Sequence, residues 1–383
     1  MTLRPFHIQI PDDRLMLLDQ RLRTAVWADE PGGVEAWEYG VPGSYLRELV
    51  EYWVDRYDWR GQEAAMNRWS HLRGEVDGVT LHVLHERGSG PSPVPVVLTH
   101  GWPWTFWDFA KVIEPLAHPE RFGGDINDGF DVIVPSLPGS VFSSPSRPKI
   151  GWRQTASLWV RLMEDLGYTR FGSHGGDSGA YVTAQLAHEF GDRLIGGHLT
   201  YPALLGSDVV FSRDDFAPDE VEDFDRQRDP TLNMTHFLTH MLEPQTLGWA
   251  LQDSPVGLAA WMLHRRTMWS DCDGDVEHRF TKDDLITSFA LYWLTGTVAS
   301  SLRFYADSFR IPWQPSHDRC PTLEAPTGIA VFPHELSHVP RSVAIKHANL
   351  VHMTRLPRGG HFAPMEEPDL LVEDIRSFFR PLR

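Results

Sequence analysis

Residues 170–190 read Arg170-Phe171-Gly172-Ser173-His174-Gly175-Gly176-Asp177-Ser178-Gly179-Ala180, followed by Tyr181-Val182-Thr183-Ala184-Gln185-Leu186-Ala187-His188-Glu189-Phe190. The pattern predicts a strand over 170–173, a glycine turn, and a helix over 180–190. Small residues on both sides of a central side chain permit the tight, strained turn that holds a nucleophile at the edge of a sheet. The helix N-terminus behind it favours negative charge there. The central residue is Asp177, not serine. A carboxylate suits displacement at a saturated carbon, which leaves an alkyl ester on the enzyme, rather than acyl transfer. An aspartate that only caps the helix would produce the same stretch. Gly176-Asp177-Ser178-Gly179 also looks like the serine-nucleophile stretch of chymotrypsin-type proteases. Those are double β-barrels, whereas this chain alternates α with β.

That alternation extends outward from the turn. Strands are expected over 79–85, 94–99, 130–137 and 195–200, with a helix over 155–166. Strands alternating with helices indicate a parallel sheet covered on both faces. The pattern stops near 205. An acidic, polar stretch over 208–230 precedes a helical block over 232–309, including a long stretch over 284–307. Strands return over 327–332 and 351–356, and a helix over 370–379 closes the chain. The helical block therefore reads as a cap inserted into a sheet domain, above the strand ends where sites are built. The boundaries are 1–90 for a leading segment, 91–205 for the first half of the sheet domain, 206–310 for the cap and 311–383 for the second half. In the leading segment a helix is expected over 14–23, and another from Ser44 as N-cap, with Leu46, Leu49, Val50 and Trp53 on one face. The segment reads as a wrap, not an independent domain, with its tryptophans packing against the rest.

Three loops complete the candidate site. His100-Gly101-Trp102-Pro103 follows the strand at 94–99, where elbow-type hydrolases supply one backbone N–H to an oxyanion hole; the residue after the nucleophile supplies the other. This points to the amides of Trp102 and Ser178. Gly359-Gly360-His361 follows the last strand, and a histidine there can swing over the sheet edge as a base. The acid that orients it should lie between them, after a strand; Glu335, after the strand at 327–332, fits, whereas Glu324 lies at the wrong end. The chain order of nucleophile, acid and histidine is that of elbow-type hydrolases. Glu366 and Glu367 read as charges favouring the start of the last helix. His334, His338 and His352 read as surface or packing groups, and His100 and His174 as backbone-binding ones.

The 383 residues are 42% apolar and 23% charged, values of a globular protein. A net charge of −17 argues against nucleic acid and anionic membrane as partners. With 2 cysteines, a disulfide framework and a four-thiolate zinc site are excluded; Cys272 and Cys320 read as structural thiols. Asp271-Cys272-Asp273-Gly274-Asp275 looks like a calcium loop, but its glycine comes too early and no bidentate glutamate follows, so a solvated loop is expected. The start of the chain lacks a basic region followed by an apolar run, and no apolar run is long enough to span a bilayer. The expected location is the cytoplasm.

At this point the chain resembles a known family, the α/β-hydrolase-fold epoxide hydrolases of the microsomal type. The likeness spans nearly the whole length. It is carried by Trp37-Glu38-Tyr39-Gly40-Val41-Pro42, by the run from Glu51 to Arg60, by Asp253-Ser254-Pro255-Val256-Gly257-Leu258-Ala259-Ala260-Trp261 and by Tyr292-Trp293-Leu294-Thr295-Gly296-Thr297. Within the family it is similar to soluble bacterial enzymes of secondary metabolism, including enediyne biosynthesis. The resemblance implies Asp177 as nucleophile, His361 as base and Glu335 as acid. It further implies Tyr305 as a cap donor to the epoxide oxygen. The family's second cap tyrosine is absent, and His236 occupies its approximate place. His236 is expected to donate an N–H, to change charge near neutral pH, or to line the pocket. The implied partners are a small-molecule epoxide, bulky or aromatic, and water, with no metal or organic cofactor. The oligomeric state stays open, a homodimer included. Two rivals stand beside this reading: a haloalkane-type dehalogenase, weakened because Ser178 replaces a halide-binding tryptophan, and a hydrolase-like binding protein with a degenerate site.

Overall fold

The structure, a computed structural model, describes residues 3–30, 37–145, 147–206, 211–218 and 220–383. Residues 207–210, at the expected start of the cap, lie outside the described residues. A 9-stranded sheet runs in the order β1-β2-β3-β5-β4-β6-β7-β8-β9. Its strands are β1 Arg4–Phe6, β2 His71–Val76, β3 Val79–Glu86, β4 Val94–Thr99, β5 Phe130–Pro135, β6 Phe171–Gly175, β7 Leu194–Leu199, β8 Leu323–Val331 and β9 Ala348–Arg355. From β5 to β9 every pairing is parallel, while β1, β2 and β3 pair antiparallel. The parallel strands read as near-continuous apolar runs because helices cover both faces. Val96, Leu98, Val132 and Val134 point into one core, and Val97 and Ile133 into the other, as the two-residue period of a strand requires.

The leading segment does more than wrap. It contributes α1 Asp12–Arg23, α2 Gly43–Asp55 and α3 Trp59–Met66, and also the three antiparallel strands. The expected boundary at 90 therefore cuts through the sheet. Its hairpin follows from Asp77-Gly78, both at positive φ (47° and 74°) between the paired Val76 and Val79; an Asp-Gly pair suits the mirror-image turn whose twist matches the strands. Ser44 is not an N-cap. Pro42 holds that position, and the Gly43 amide donates to Glu30 Oε2 at 3.0 Å. The segment is tied to the cap through side chains. Tyr45 donates to Glu277 at 2.9 Å, Tyr52 to Asp283 at 3.0 Å, and Arg14 to the carbonyls of Trp293 and Leu294 at 3.3 Å.

Helices α4 Ala110–Ala117, α5 Trp152–Asp165 and α6 Ser178–Glu189 cover the first half of the sheet. The cap holds α7 Val221–Gln227, α8 Pro230–Leu242, α9 Pro244–Asp253, α10 Pro255–Trp269, α11 Lys282–Thr295 and α12 Val298–Phe309. The expected long stretch over 284–307 is α11 and α12, bent by 90° at Gly296. Gly296 has φ +70° and caps α11 in the left-handed conformation, a common helix stop. Then come α13 Arg341–His347, α14 Ala363–Glu366 and α15 Pro368–Phe379. Among the described residues no single helix is long and apolar enough to cross a membrane.

Candidate active site

The C-terminal ends of β4, β6, β8 and β9 carry His100–Pro103, Asp177, Glu335 and His361, and these four loops meet. Between β6 and α6, Asp177 has φ +49° and ψ −129°, a strained backbone that costs about 1–3 kcal/mol. The chain bends this sharply because its neighbours are small. A Cβ on Gly179 would lie 1.9 Å from the Thr99 carbonyl, and one on Gly101 would lie 2.2 Å from Asp177 Oδ1.

The two carboxylate oxygens of Asp177 have different surroundings. Oδ1 accepts the amide N–H of Trp102 at 3.1 Å and that of Ser178 at 2.5 Å. Oδ2 faces Nε2 of His361 at 3.3 Å. Burial works against the Asp177 charge, but His361 and the two amides outweigh it and hold the carboxyl below its ordinary range. His361 is fully buried, and its Nδ1–H donates to Glu335 Oε1 at 2.6 Å. Burial opposes its charge as well. The Glu335 carboxylate, together with Asp177, wins and pushes the imidazole up to about 10. The resting site is therefore an imidazolium between two carboxylates. Trp104 and Trp269 close on the His361 ring edge to face, at centroid distances of 5.5 and 5.2 Å.

Above Asp177 lies a cavity of about 240 Å³, walled by aromatic side chains of both the sheet domain and the cap. Tyr305 and His236 line it, with rings perpendicular at 5.7 Å. The Tyr305 hydroxyl and His236 Nδ1 are buried and have no hydrogen-bond partner among the described residues. Burial, then the charge of Asp177, raises Tyr305 well above its ordinary value, so its proton stays on. Burial, then His240 and Arg265, holds His236 well below its ordinary value. The expected change of charge near neutral pH is thereby overturned: His236 is neutral, with one N–H to give. A larger hollow of about 560 Å³ between the leading segment and the cap is lined by none of Asp177, Glu335, His361, Tyr305 and His236.

Several neighbours escaped the sequence reading. Tyr201 and Tyr181 line the cavity; Tyr201 stands just beyond β7, and that strand-end position was its signal. His100 does bind backbone: its Nδ1–H donates to the Gly101 carbonyl at 2.8 Å and its Nε2 accepts from Leu137 N–H at 3.0 Å. This fixes the tautomer and the loop. His174 does not bind backbone. Its Nδ1 pairs with His198 Nδ1 at 2.9 Å in a chain that ends on Asp374, because strand alternation turns it away from the cavity. His338 donates to the Glu335 carbonyl at 3.1 Å, and His352 meets Asp374 at 2.9 Å, as packing groups; His334 is half-exposed. Asp273, Gly274 and Asp275 are exposed, as expected of a solvated loop, but Asp271 turns inward: its Oδ2 accepts Gly359 N–H at 2.8 Å. Glu366 is not a charge at the start of α15 but a buried acceptor of two amides. Among the described residues no cluster of side chains is suited to hold a metal ion.

An epoxide hydrolase N-terminus model matches residues 3–109, and an α/β-hydrolase fold model matches residues 94–248. Rabbit (Oryctolagus cuniculus) epoxide hydrolase 1 is 33% identical over 405 residues, which cover 98% of this chain and 88% of that one. The chain belongs to the epoxide hydrolase family. A Stigmatella aurantiaca (strain DW4/3-1) protein bearing an epoxide hydrolase name is 39% identical over 99% of this chain and 85% of its own. The solved epoxide hydrolase of Aspergillus niger matches 100% of this chain and 97% of its own at TM-score 0.86 and 27% identity. The chain is thus an epoxide hydrolase with an α/β-hydrolase fold, acting on a small epoxide and water. That sets aside the dehalogenase and the degenerate binding protein.

Proposed function

We propose that this epoxide hydrolase works through an ester on Asp177. The observation that carries the reading is the asymmetry of the Asp177 carboxylate, with Oδ1 on two amides and Oδ2 free toward the cavity and His361. Oδ2 attacks an epoxide carbon, and the C–O bond breaks with its electron pair moving to the ring oxygen. Tyr305 gives that oxygen its proton, and His236 donates an N–H beside it. Ester formation removes the Asp177 charge, one of the two that hold the imidazolium, so His361 gives up its Nε2 proton, which returns through solvent to the Tyr305 oxygen, and His361 becomes neutral. Its Nε2 then takes a proton from water, whose oxygen attacks the ester carbon. The oxyanion develops on Oδ1, where each amide donor contributes about 3 kcal/mol. Collapse releases the diol with Oδ2, the leaving oxygen takes the second water proton, and the imidazolium is restored. Aromatic walls favour a bulky or aryl substituent on the epoxide. A cytoplasmic location suits the exposed free thiol of Cys320. A place in secondary metabolism rests on the sequence resemblance alone.

A single turnover in ¹⁸O-water tests the ester route. The first diol is expected to be unlabelled and the Asp177 peptide to gain one ¹⁸O; a labelled first diol with an unlabelled Asp177 would sink the route. Tyr305→Phe is expected to slow ester formation about 100-fold, measured by rapid quench. His236→Phe, which keeps the ring's stack on Trp102, is expected to slow it about 10-fold. An unchanged rate in either variant would remove that residue from the donor pair.

A further inference from the structure

The loop that carries His361 is not held by the sheet domain alone. The His361 amide donates to the Trp269 carbonyl, at the end of α10, at 2.9 Å. The Gly359 amide donates to Asp271 Oδ2 at 2.8 Å, and Asp271 is also paired with Arg279 at 3.0 Å. Glu366 closes the circuit: Oε1 accepts Phe362 N–H at 2.8 Å and Oε2 accepts Asp271 N–H at 2.8 Å. One buried carboxylate thus spans the histidine loop and the cap. The space between them is tight, since a Cβ on Gly360 would lie 2.7 Å from the Trp269 carbonyl.

We propose that Glu366 and Asp271 are positioning residues that clamp the His361 loop to the end of α10 and set Nε2 for the hydrolysis step. The inference rests on the two-step reading above. Both partners of Glu366 are N–H donors, so only the carboxylate satisfies both; a protonated carboxyl gives up one acceptor. Burial is the main cause that raises Glu366 to about 7, against the two amides, Arg279 and His361. As pH falls through about 7 the clamp loses an acceptor, so hydrolysis should slow on the acid side. The other titratable and charged groups around Glu366 are Asp271 and Arg279 from the cap, Glu367 and Arg358 on the far side of Arg279, the Cys272 thiol, Lys111 of α4 (bound to the Met365 carbonyl), and the buried Asp108–Arg266 pair under Phe362. In the resting enzyme His361 is held up at about 10; once the ester has removed the Asp177 charge it falls, and as the base it gives hydrolysis an acid limb of its own, so the Glu366 contribution is the difference between the wild-type limb and that of Glu366→Gln.

The test is rapid-quench kinetics of the full chain with an aryl epoxide, with ester formation and ester hydrolysis resolved between pH 5.5 and 9. Glu366→Gln is expected to slow hydrolysis about 10-fold at pH 8, leave ester formation within about two-fold, and shift the acid limb by removing the Glu366 contribution near 7. Asp271→Ala, at a partly exposed position that should leave folding intact, is expected to slow hydrolysis about 10-fold with the limb retained. Equal slowing of both steps, or an acid limb unmoved in Glu366→Gln, would overturn the inference. Absence of any ester in the wild-type enzyme would overturn the two-step reading and this inference with it, whereas a wild-type ester whose hydrolysis is unchanged in both variants would overturn the inference alone.

Discussion

Asp177→Asn is expected to abolish diol formation, by about 10⁴-fold or more, and to form no ester, while His361→Gln accumulates ester and stalls. The cause lies in the two oxygens of Asp177. An asparagine would seat its carbonyl oxygen on the Trp102 and Ser178 amides and turn its NH₂ toward the cavity. That group is neutral and non-nucleophilic, and it leaves His361 without its second carboxylate. Glutamine at 361 can still donate to Glu335, so the nucleophile and its amides stay in place. What is lost is the base for the water. Intact-protein mass spectrometry after mixing with epoxide reads both outcomes: a stable adduct of substrate mass in His361→Gln and none in Asp177→Asn. An adduct in Asp177→Asn, or rapid turnover by either variant, would contradict the assignment.

The second large effect is on stability. Arg266 of α10 and Asp108 form an ion pair at 2.6 Å, each side chain only 2% exposed. Arg266 also donates to the Pro103 carbonyl at 3.2 Å and lies over the Phe362 ring at 4.1 Å. It thus touches both the oxyanion loop and the histidine loop. Removing one partner strands a buried charge, so Asp108→Ala or Arg266→Ala should each cost about 3–5 kcal/mol in urea unfolding. Replacing both by apolar residues of similar volume, Arg266→Met with Asp108→Leu, should recover most of that loss. A cost below about 1 kcal/mol for either single variant would show that the pair is not held as a buried unit. The double variant should still lose activity, because nothing then grips the Pro103 carbonyl.

The parallel part of the sheet, the inserted cap and the loops that meet at Asp177 were legible because each signal is local. A strand, a glycine turn and a helix within twenty residues announce an elbow, and a glycine-rich histidine after the last strand announces a base. Two local signals were nonetheless passed over: Asp77-Gly78, which makes the antiparallel edge a hairpin, and Gly296, which splits one helical stretch into two. The groups that support the site were illegible for a different reason. Arg266 meets Asp108, and Asp271 meets Gly359, only once the cap has folded back onto the sheet. In sequence Asp271 sits in an acidic run indistinguishable from a solvated loop. Glu366 looked like a helix-start charge because its second amide partner lies in the cap. Charge state was equally hidden. Nothing in the sequence distinguishes a neutral His236 from a protonated His361; burial alone against burial beside two carboxylates does.

The seating of Oδ1 has a consequence over many turnovers. If the two amides keep hold of that oxygen while the other leaves with each diol, the carboxylate never exchanges both its atoms. The departing oxygen is replaced by the one from water, and that newcomer sits where the next attack begins. Each diol would then carry the water oxygen consumed one cycle earlier. The enzyme becomes a relay with a memory of one turnover, keeping one original atom for as long as the carboxylate does not rotate.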